Sequence, residues 1–199
     1  MHLRTAAIVC SSRPHGETAA IVRMLSAEQG LLAGYVAGGR GRQLRPVLVP
    51  GNLVEAELHW RSESQLPSAR LELTHSRGPW LGEPLAAAAI GWVTALTTAA
   101  LPERQAYPSL YSALSGLLDA ICHAPSARGW LPGLLAYEAL LLRELGYGGA
   151  VPEAAEDHAG ELARFDATGT RLERYLLADR RGDVMGARSM LRQRLAKIG

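Results

Sequence analysis

Leu53-Val54-Glu55-Ala56-Glu57-Leu58-His59-Trp60-Arg61 is the stretch whose reading decides the fold. Val54, Ala56, Leu58 and Trp60 fall on one side of an extended chain, with Glu55, Glu57 and His59 on the other. A period of two with one apolar and one charged side describes a half-buried strand. Ser68–Ser76 repeats the pattern, setting Ala69, Leu71 and Leu73 against Arg70, Glu72, Thr74 and Ser76. Upstream lie three further apolar segments, Leu3–Arg13, Thr18–Ser26 and Leu31–Ala37. Turn chemistry bounds them: Arg13-Pro14-His15-Gly16, Ala27-Glu28-Gln29-Gly30, and the loop Gly38-Gly39-Arg40-Gly41-Arg42-Gln43-Leu44-Arg45. Five short strands in so little chain predict a small barrel of the OB-fold kind.

After Gly78-Pro79-Trp80 the period changes. Ile90, Val93 and Leu96 mark a helix over Glu83–Ala100, and Leu110, Leu114, Leu117, Leu118 and Ile121 mark a second between Pro108 and Pro125. A third runs from about Pro132 to Leu145 and stops at Gly146; it is apolar nearly all round, as suits the centre of a bundle. Two more follow, about Glu161–Ala178 and Asp183–Ile198, the last with Arg188 and Arg192 on a face apart from Leu191 and Leu195. The fold class is therefore α+β: an N-terminal five-stranded OB-fold barrel over residues 1–79, then an α-helical bundle domain over 80–199.

The net charge of +2 conceals a segregation. Residues 1–80 carry nine arginines and six acids, 81–170 carry four and ten, and 171–199 carry eight basic groups and three acids. Basic ends suit an anionic polymer. A high-Arg, high-Ala composition with a single lysine, Lys197, would also raise the arginine count without any binding role. The two cysteines, Cys10 and Cys122, make neither a metal spacing nor a disulfide framework, so a reducing cytoplasm is expected. No run approaches a membrane span and no signal-peptide pattern opens the chain.

Catalytic constellations are missing. The glycine–arginine loop lacks the Gly-Lys-Ser/Thr ending of a P-loop. Glu55 with Glu57 reads as a solvated strand face and Glu156 with Asp157 as a polar loop, while Cys10 reads as packing in an apolar strand. The six histidines are scattered without ligand spacing. No enzyme activity, metal or cofactor is expected. What the loop offers is three guanidiniums on a small-residue backbone, each able to grip a phosphate through paired N–H groups.

The order of these motifs resembles a known family. Arg13-Pro14-His15-Gly16-Glu17-Thr18, then Glu28-Gln29-Gly30, the glycine–arginine loop, and Leu48-Val49-Pro50-Gly51 are similar to the N-terminal OB domain of the bacterial recombination mediator RecO. Tyr137-Glu138, Leu145-Gly146-Tyr147-Gly148 and Arg171-Leu172-Glu173-Arg174-Tyr175-Leu176 resemble its helical part. The resemblance implies a non-enzymatic mediator of recombinational DNA repair, cytoplasmic and nucleoid-associated. Such a mediator binds single- and double-stranded DNA, anneals complementary strands and, with RecR, helps RecA load onto DNA coated by single-strand-binding protein (SSB).

On this reading Arg40, Arg42 and Arg45 contact DNA, joined by Arg13, Arg188 and Arg192. Glu17 and Thr18 are structural. Of the barrel aromatics only Tyr35 and Trp60 could stack on bases, and the alternation turns Trp60 inward, so binding should be charge-dominated and indifferent to sequence. The C-terminal tail of SSB is a further expected partner, with a groove formed by Tyr137, Leu141, Arg143 and Arg128. The chain departs from the family where many members carry a cysteine-rich zinc module: residues 148–160 are short and hold no cysteine, so zinc is not expected. It also has Leu135-Ala136 where some relatives carry arginines. A rival reading makes the barrel a protein-binding adaptor whose contact with nucleic acid is incidental.

Overall fold

The alternating stretches form strands in a computed structural model that describes residues 1–62, 64–148, 155, 157–178 and 184–198. They are β1 (His2–His15), β2 (Ala19–Ser26), β3 (Gly30–Val36), β4 (Leu53–His59) and β5 (Ser68–His75), closed into a barrel in the order β1-β2-β3-β5-β4. β1 serves two neighbours: His2 to Ile8 pair antiparallel with β4, and Ile8 to His15 with β2. An irregularity between Val9 and Ser11 lets one long strand turn the corner between them. β3 meets β5 in parallel at Tyr35↔Ser68. This is the five-stranded OB topology. The interior holds the residues that the alternation points inward, among them Val22, Met24, Val54, Ala56, Leu58 and Leu71.

The chain divides into two compact units, residues 1–82 with 101–111, and 83–100 with 112–199. In the barrel unit, 101–111 covers the start of β3: the Arg104 amide donates to the Leu31 carbonyl (2.9 Å), and Glu103 pairs with Arg23 (3.0 Å). The other unit is built from α1 (Pro84–Ala100), α2 (Pro108–His123) from residue 112 onward, α3 (Leu131–Glu144), α4 (His158–Leu172) and α5 (Val184–Leu195), with a π-helical turn at Glu173–Leu177 after α4. Leu134, Tyr137, Leu141, Phe165, Leu172 and Leu191 are buried there. α3 ends as its glycine predicts. Gly146 takes φ 85°, its amide donates to the Arg143 carbonyl (3.0 Å), and the Tyr147 amide reaches back to Leu142 (2.8 Å).

A candidate nucleic-acid interface

The glycine–arginine loop joins β3 to β4 through consecutive turns. Gly38 has φ 66°, the left-handed region that glycine reaches at no steric cost. Gly39 is buried, and a Cβ there would lie 2.8 Å from the Ala20 Cβ. Gly39 thus serves close packing on the barrel, while Gly38 serves the turn. Leu44, Val47 and Leu48 pack against the barrel core. Fully buried Asn52 fastens the far end of the loop. Its Nδ2 donates to the carbonyls of Pro46 (2.8 Å) and Val47 (3.1 Å), and its Oδ1 accepts from the Arg77 amide (2.8 Å). Arg77 is itself buried and donates through Nε to the Gly51 carbonyl (2.9 Å).

This anchored loop leans on the β1–β2 turn. Arg40 Nη1 donates to the carbonyls of Gly16 (3.0 Å) and Glu17 (2.9 Å), and its amide donates to the Thr18 carbonyl (3.0 Å). Glu17 and Thr18 therefore contribute backbone oxygens to the turn. Arg40 is at once exposed and structural: Nη1 clamps two loops, while Nε and Nη2 make no hydrogen bond among the described residues. The exposed side chains of Arg13, Arg42 and Arg45 have no hydrogen bond or ion pair among the described residues. A cavity of about 350 Å³ lies between the two loops, lined by Ser12, Pro14, Ala20, Gly39, Arg40 and Arg45, with no acid in its wall.

Strand register sets a second row on the outer face of the sheet, opposite the side of Pro14 and Ala20. Arg13 pairs with Ile21, and Ile21 with Tyr35, so the three form one row across β1, β2 and β3. Directly paired residues share a sheet face. Tyr35 is 36% exposed, and His15 meets it edge-on at 5.9 Å between ring centres. Trp60, 7% exposed, lies inward as the alternation requires, with the Arg104 guanidinium 5.7 Å from its ring centre. One end of the barrel therefore presents four arginines and an aromatic edge. Guanidiniums there can take phosphates in pairs of N–H bonds, and Tyr35 can stack on a base.

The helical residues are arranged differently. Arg188, expected on a solvated face, is 5% exposed; Nη2 donates to Glu138 Oε2 (2.9 Å) and to the Phe165 carbonyl (2.6 Å). The expected basic track on α5 is corrected accordingly, because this cation is spent on a buried carboxylate. Arg192 stays at the surface but holds Asp166 through two bonds (2.7 and 2.9 Å), which raises its pKa further. Tyr137 and Leu141 line no groove: both are buried, with the Tyr137 hydroxyl 2.6 Å from Thr97 Oγ1. Arg128 lines a cavity of about 300 Å³ with Leu131, Pro132, Ala155, Asp157, His158 and Glu161. Two carboxylates in that wall oppose an acidic peptide. Arg143 is exposed and absent from this lining. Asn52 and Arg77 escape sequence reasoning, since a single polar residue next to a turn has no period to reveal its burial, and the motif residue Glu138 gives no sign of its partner.

Most of the segment in place of the zinc module, 149–154 and 156, lies outside the described residues. The donors do not fit zinc. Both cysteines are buried, one in β1 and one in α2, and no group of three or more His, Cys, Asp and Glu among the described residues could hold a metal. Burial pushes the Cys10 thiol up to about 12. No helix among the described residues is long and apolar enough to cross a membrane.

Two family models match in series. One described as Recombination protein O N terminal covers residues 1–77, and one described as Recombination protein O C terminal covers 81–156. The DNA repair protein RecO of Rhodospirillum centenum is 43% identical over 143 residues, 71% of this chain and 56% of that protein. That of Gluconacetobacter diazotrophicus is 36% identical over 151 residues (74% and 59%), and that of Paracoccus denitrificans 40% over 142 (71% and 57%). The chain thus spans less than two thirds of the length of these curated relatives. With matched segments running from the first strand through α3, this chain belongs to the RecO family.

Proposed function

We propose that this protein is a DNA-binding mediator of recombinational repair whose barrel holds DNA by its phosphates. The observation that carries the proposal is the meeting of two loops at one barrel end. There the Arg40 clamp ties the loop to the β1–β2 turn, Arg40 and Arg45 line an acid-free cavity, and Arg13 and Arg42 stand exposed nearby in the same two segments. A surface that neutralises phosphates lowers the repulsion between two strands. The same contacts therefore serve binding to single and double strands and the annealing of complementary ones. The proposal includes loading of RecA on SSB-coated DNA together with RecR, a reading that membership of the family supports.

Binding of the SSB tail belongs to the proposal through the family relationship alone, because the cavity wall that holds Arg128 also holds Asp157 and Glu161. The test is fluorescence anisotropy of labelled oligonucleotides across a salt series. Log affinity should fall linearly with log salt, by about 0.7 per phosphate contacted on a single strand. Binding that ignored salt, or that survived Arg40→Ala/Arg42→Ala/Arg45→Ala unchanged, would sink the proposal and favour a protein-binding adaptor.

A further inference from the structure

Two motifs of the helical unit lie outside the barrel surface: Leu145-Gly146-Tyr147-Gly148 and Arg171-Leu172-Glu173-Arg174-Tyr175-Leu176. The structure brings their tyrosines together. Tyr147 and Tyr175 stack with ring centres 5.3 Å apart and planes 18° from parallel, yet remain 42% and 40% exposed. Backbone devices hold each ring. Tyr147 follows the left-handed Gly146, and its amide closes the α3 cap on Leu142. Tyr175 lies in the π-helical turn Glu173–Leu177. Residues five apart face different ways on an α-helix, but the wider π turn brings Leu172 and Leu177 both to the interior and leaves Tyr175 outside.

Arginines frame the pair. Arg171 Nη2 donates to the Tyr147 carbonyl (3.1 Å), which ties the two motifs together, and the Arg174 guanidinium lies 5.3 Å from the Tyr175 ring centre. Exposed Arg143 approaches Gly148, next to Tyr147: a Cβ on that glycine would meet its Cα and Cγ at 3.9 Å. The neighbouring acids Glu144 and Glu173 are exposed and form no ion pair with these arginines among the described residues. Two exposed large rings in contact, ringed by cations, are costly to leave in water and suit a flat, anionic, aromatic ligand.

We propose that Tyr147 and Tyr175 form a stacking platform for a base of single-stranded nucleic acid, with Arg143, Arg171 and Arg174 supplying phosphate contacts. The inference rests on the reading of the protein as a DNA binder and adds a second contact region, on the helical unit, that reads base faces. Charge favours a nucleic acid over an acidic peptide only together with the rings: arginines alone would accept either, whereas an exposed stacked pair suits a base added against it.

The test uses the full chain and a thymidine oligonucleotide carrying 5-iodouracil, irradiated and mapped by mass spectrometry, with anisotropy on variants. Crosslinks should fall on Tyr147 or Tyr175. Tyr147→Ala/Tyr175→Ala should bind single strands roughly tenfold more weakly, within the range for loss of one stacked base, with the salt slope unchanged. Tyr147→Phe/Tyr175→Phe should bind like the parent, because the π faces remain. Crosslinks confined to the barrel, together with parental affinity in the alanine pair, would overturn the platform while leaving the barrel proposal standing; a protein partner on this surface would give that same result. Failure of the parent to bind any single strand would overturn both.

Discussion

Arg188 on α5 and Glu138 on α3 form an ion pair of 2.9 Å in which Glu138 is fully buried and Arg188 nearly so. Trp92 on α1 donates its indole N–H to the other Glu138 oxygen (2.7 Å), and the Arg188 guanidinium lies over the Phe165 ring of α4 at 3.6 Å. One buried carboxylate thus gathers four helices. Burial pushes its pKa up from 4.5, while the charge and hydrogen bond of Arg188 and the bond from Trp92 pull against the rise. A carboxyl raised on folding holds a proton that the unfolded chain has released. Stability therefore falls as pH rises from the unfolded value through the folded one, and levels off above it. Arg188→Ala removes the strongest opposing influence, so the carboxyl rises further and the fall widens. The variant should lose about 3–5 kcal/mol near neutral pH, because the carboxyl has lost its partner and must either stay charged in the interior or take up a proton. Urea unfolding at about pH 5 and about pH 8 should show a smaller deficit at the lower pH. Equal deficits at the two would mean that Glu138 does not titrate.

Gly169 sits inside α4, where glycine is otherwise a poor choice, because a Cβ would overlap the Arg188 guanidinium, reaching 2.7 Å from its Cζ. Gly169→Ala should destabilise the protein by about 2 kcal/mol or more through overpacking. In an Arg188→Ala background the same change should be neutral or stabilising, since the space is vacated and alanine is the better helix former. A double-mutant cycle of thermal melts checks this. Simple additivity would refute the steric coupling.

Asn52→Ala removes three hydrogen bonds at a fully buried position and leaves the Arg77 amide and two loop carbonyls unpaired. A loss of about 2–4 kcal/mol is expected from unsatisfied buried groups. Hydrogen exchange should quicken in residues 44–48 before the strands respond, because Asn52 holds the loop rather than the sheet. Uniform acceleration across the barrel would argue against a local latch.

Arg40 and its neighbours should separate by charge and geometry. Arg42→Ala and Arg45→Ala each remove one exposed cation and should reduce the single-strand salt slope by about 0.7 with little change in thermal stability. Arg40→Lys keeps the charge but loses the paired reach of Nη1 to Gly16 and Glu17. It should preserve the slope, lower affinity and loosen the β1–β2 turn. Salt-series anisotropy beside hydrogen exchange of residues 15–18 tells these apart. Identical slopes in all three variants and the parent would count against phosphate contact by the loop.

The barrel was legible because its information is local. The alternation from Leu53 to Trp60 states which side is inside, and burial follows it residue by residue. The stop at Gly146 is equally local. Arg188 was misread for the opposite reason. It lies four residues from Arg192 on a face that looks solvated, and the group that draws it inward is Glu138, fifty residues earlier in the chain. Tyr137 and Leu141 were misread as a groove because an apolar helix does not announce whether its wide stripe is covered. Gly38 supplies a turn and Gly39 a contact with Ala20, and the second role has no local sign in the sequence. Contacts across long separations leave no period.

The parallel seam of the barrel has a consequence for the order in which the chain is made. β3 meets β5 at Tyr35↔Ser68, and the earlier part of β3 is covered by Glu103 and Arg104, which follow α1 in the chain. A ribosome therefore releases all five strands before it releases the piece that shields Leu31, and the whole of α1 emerges in between. For that interval the nascent barrel carries an open strand edge, the kind that recruits wrong partners. β1 to β3 and the loop that follows them, which carry Arg13, Arg40, Arg42 and Arg45, have by then all left the ribosome. Vectorial synthesis thus delivers the surface we assign to DNA before the segment that covers the start of β3.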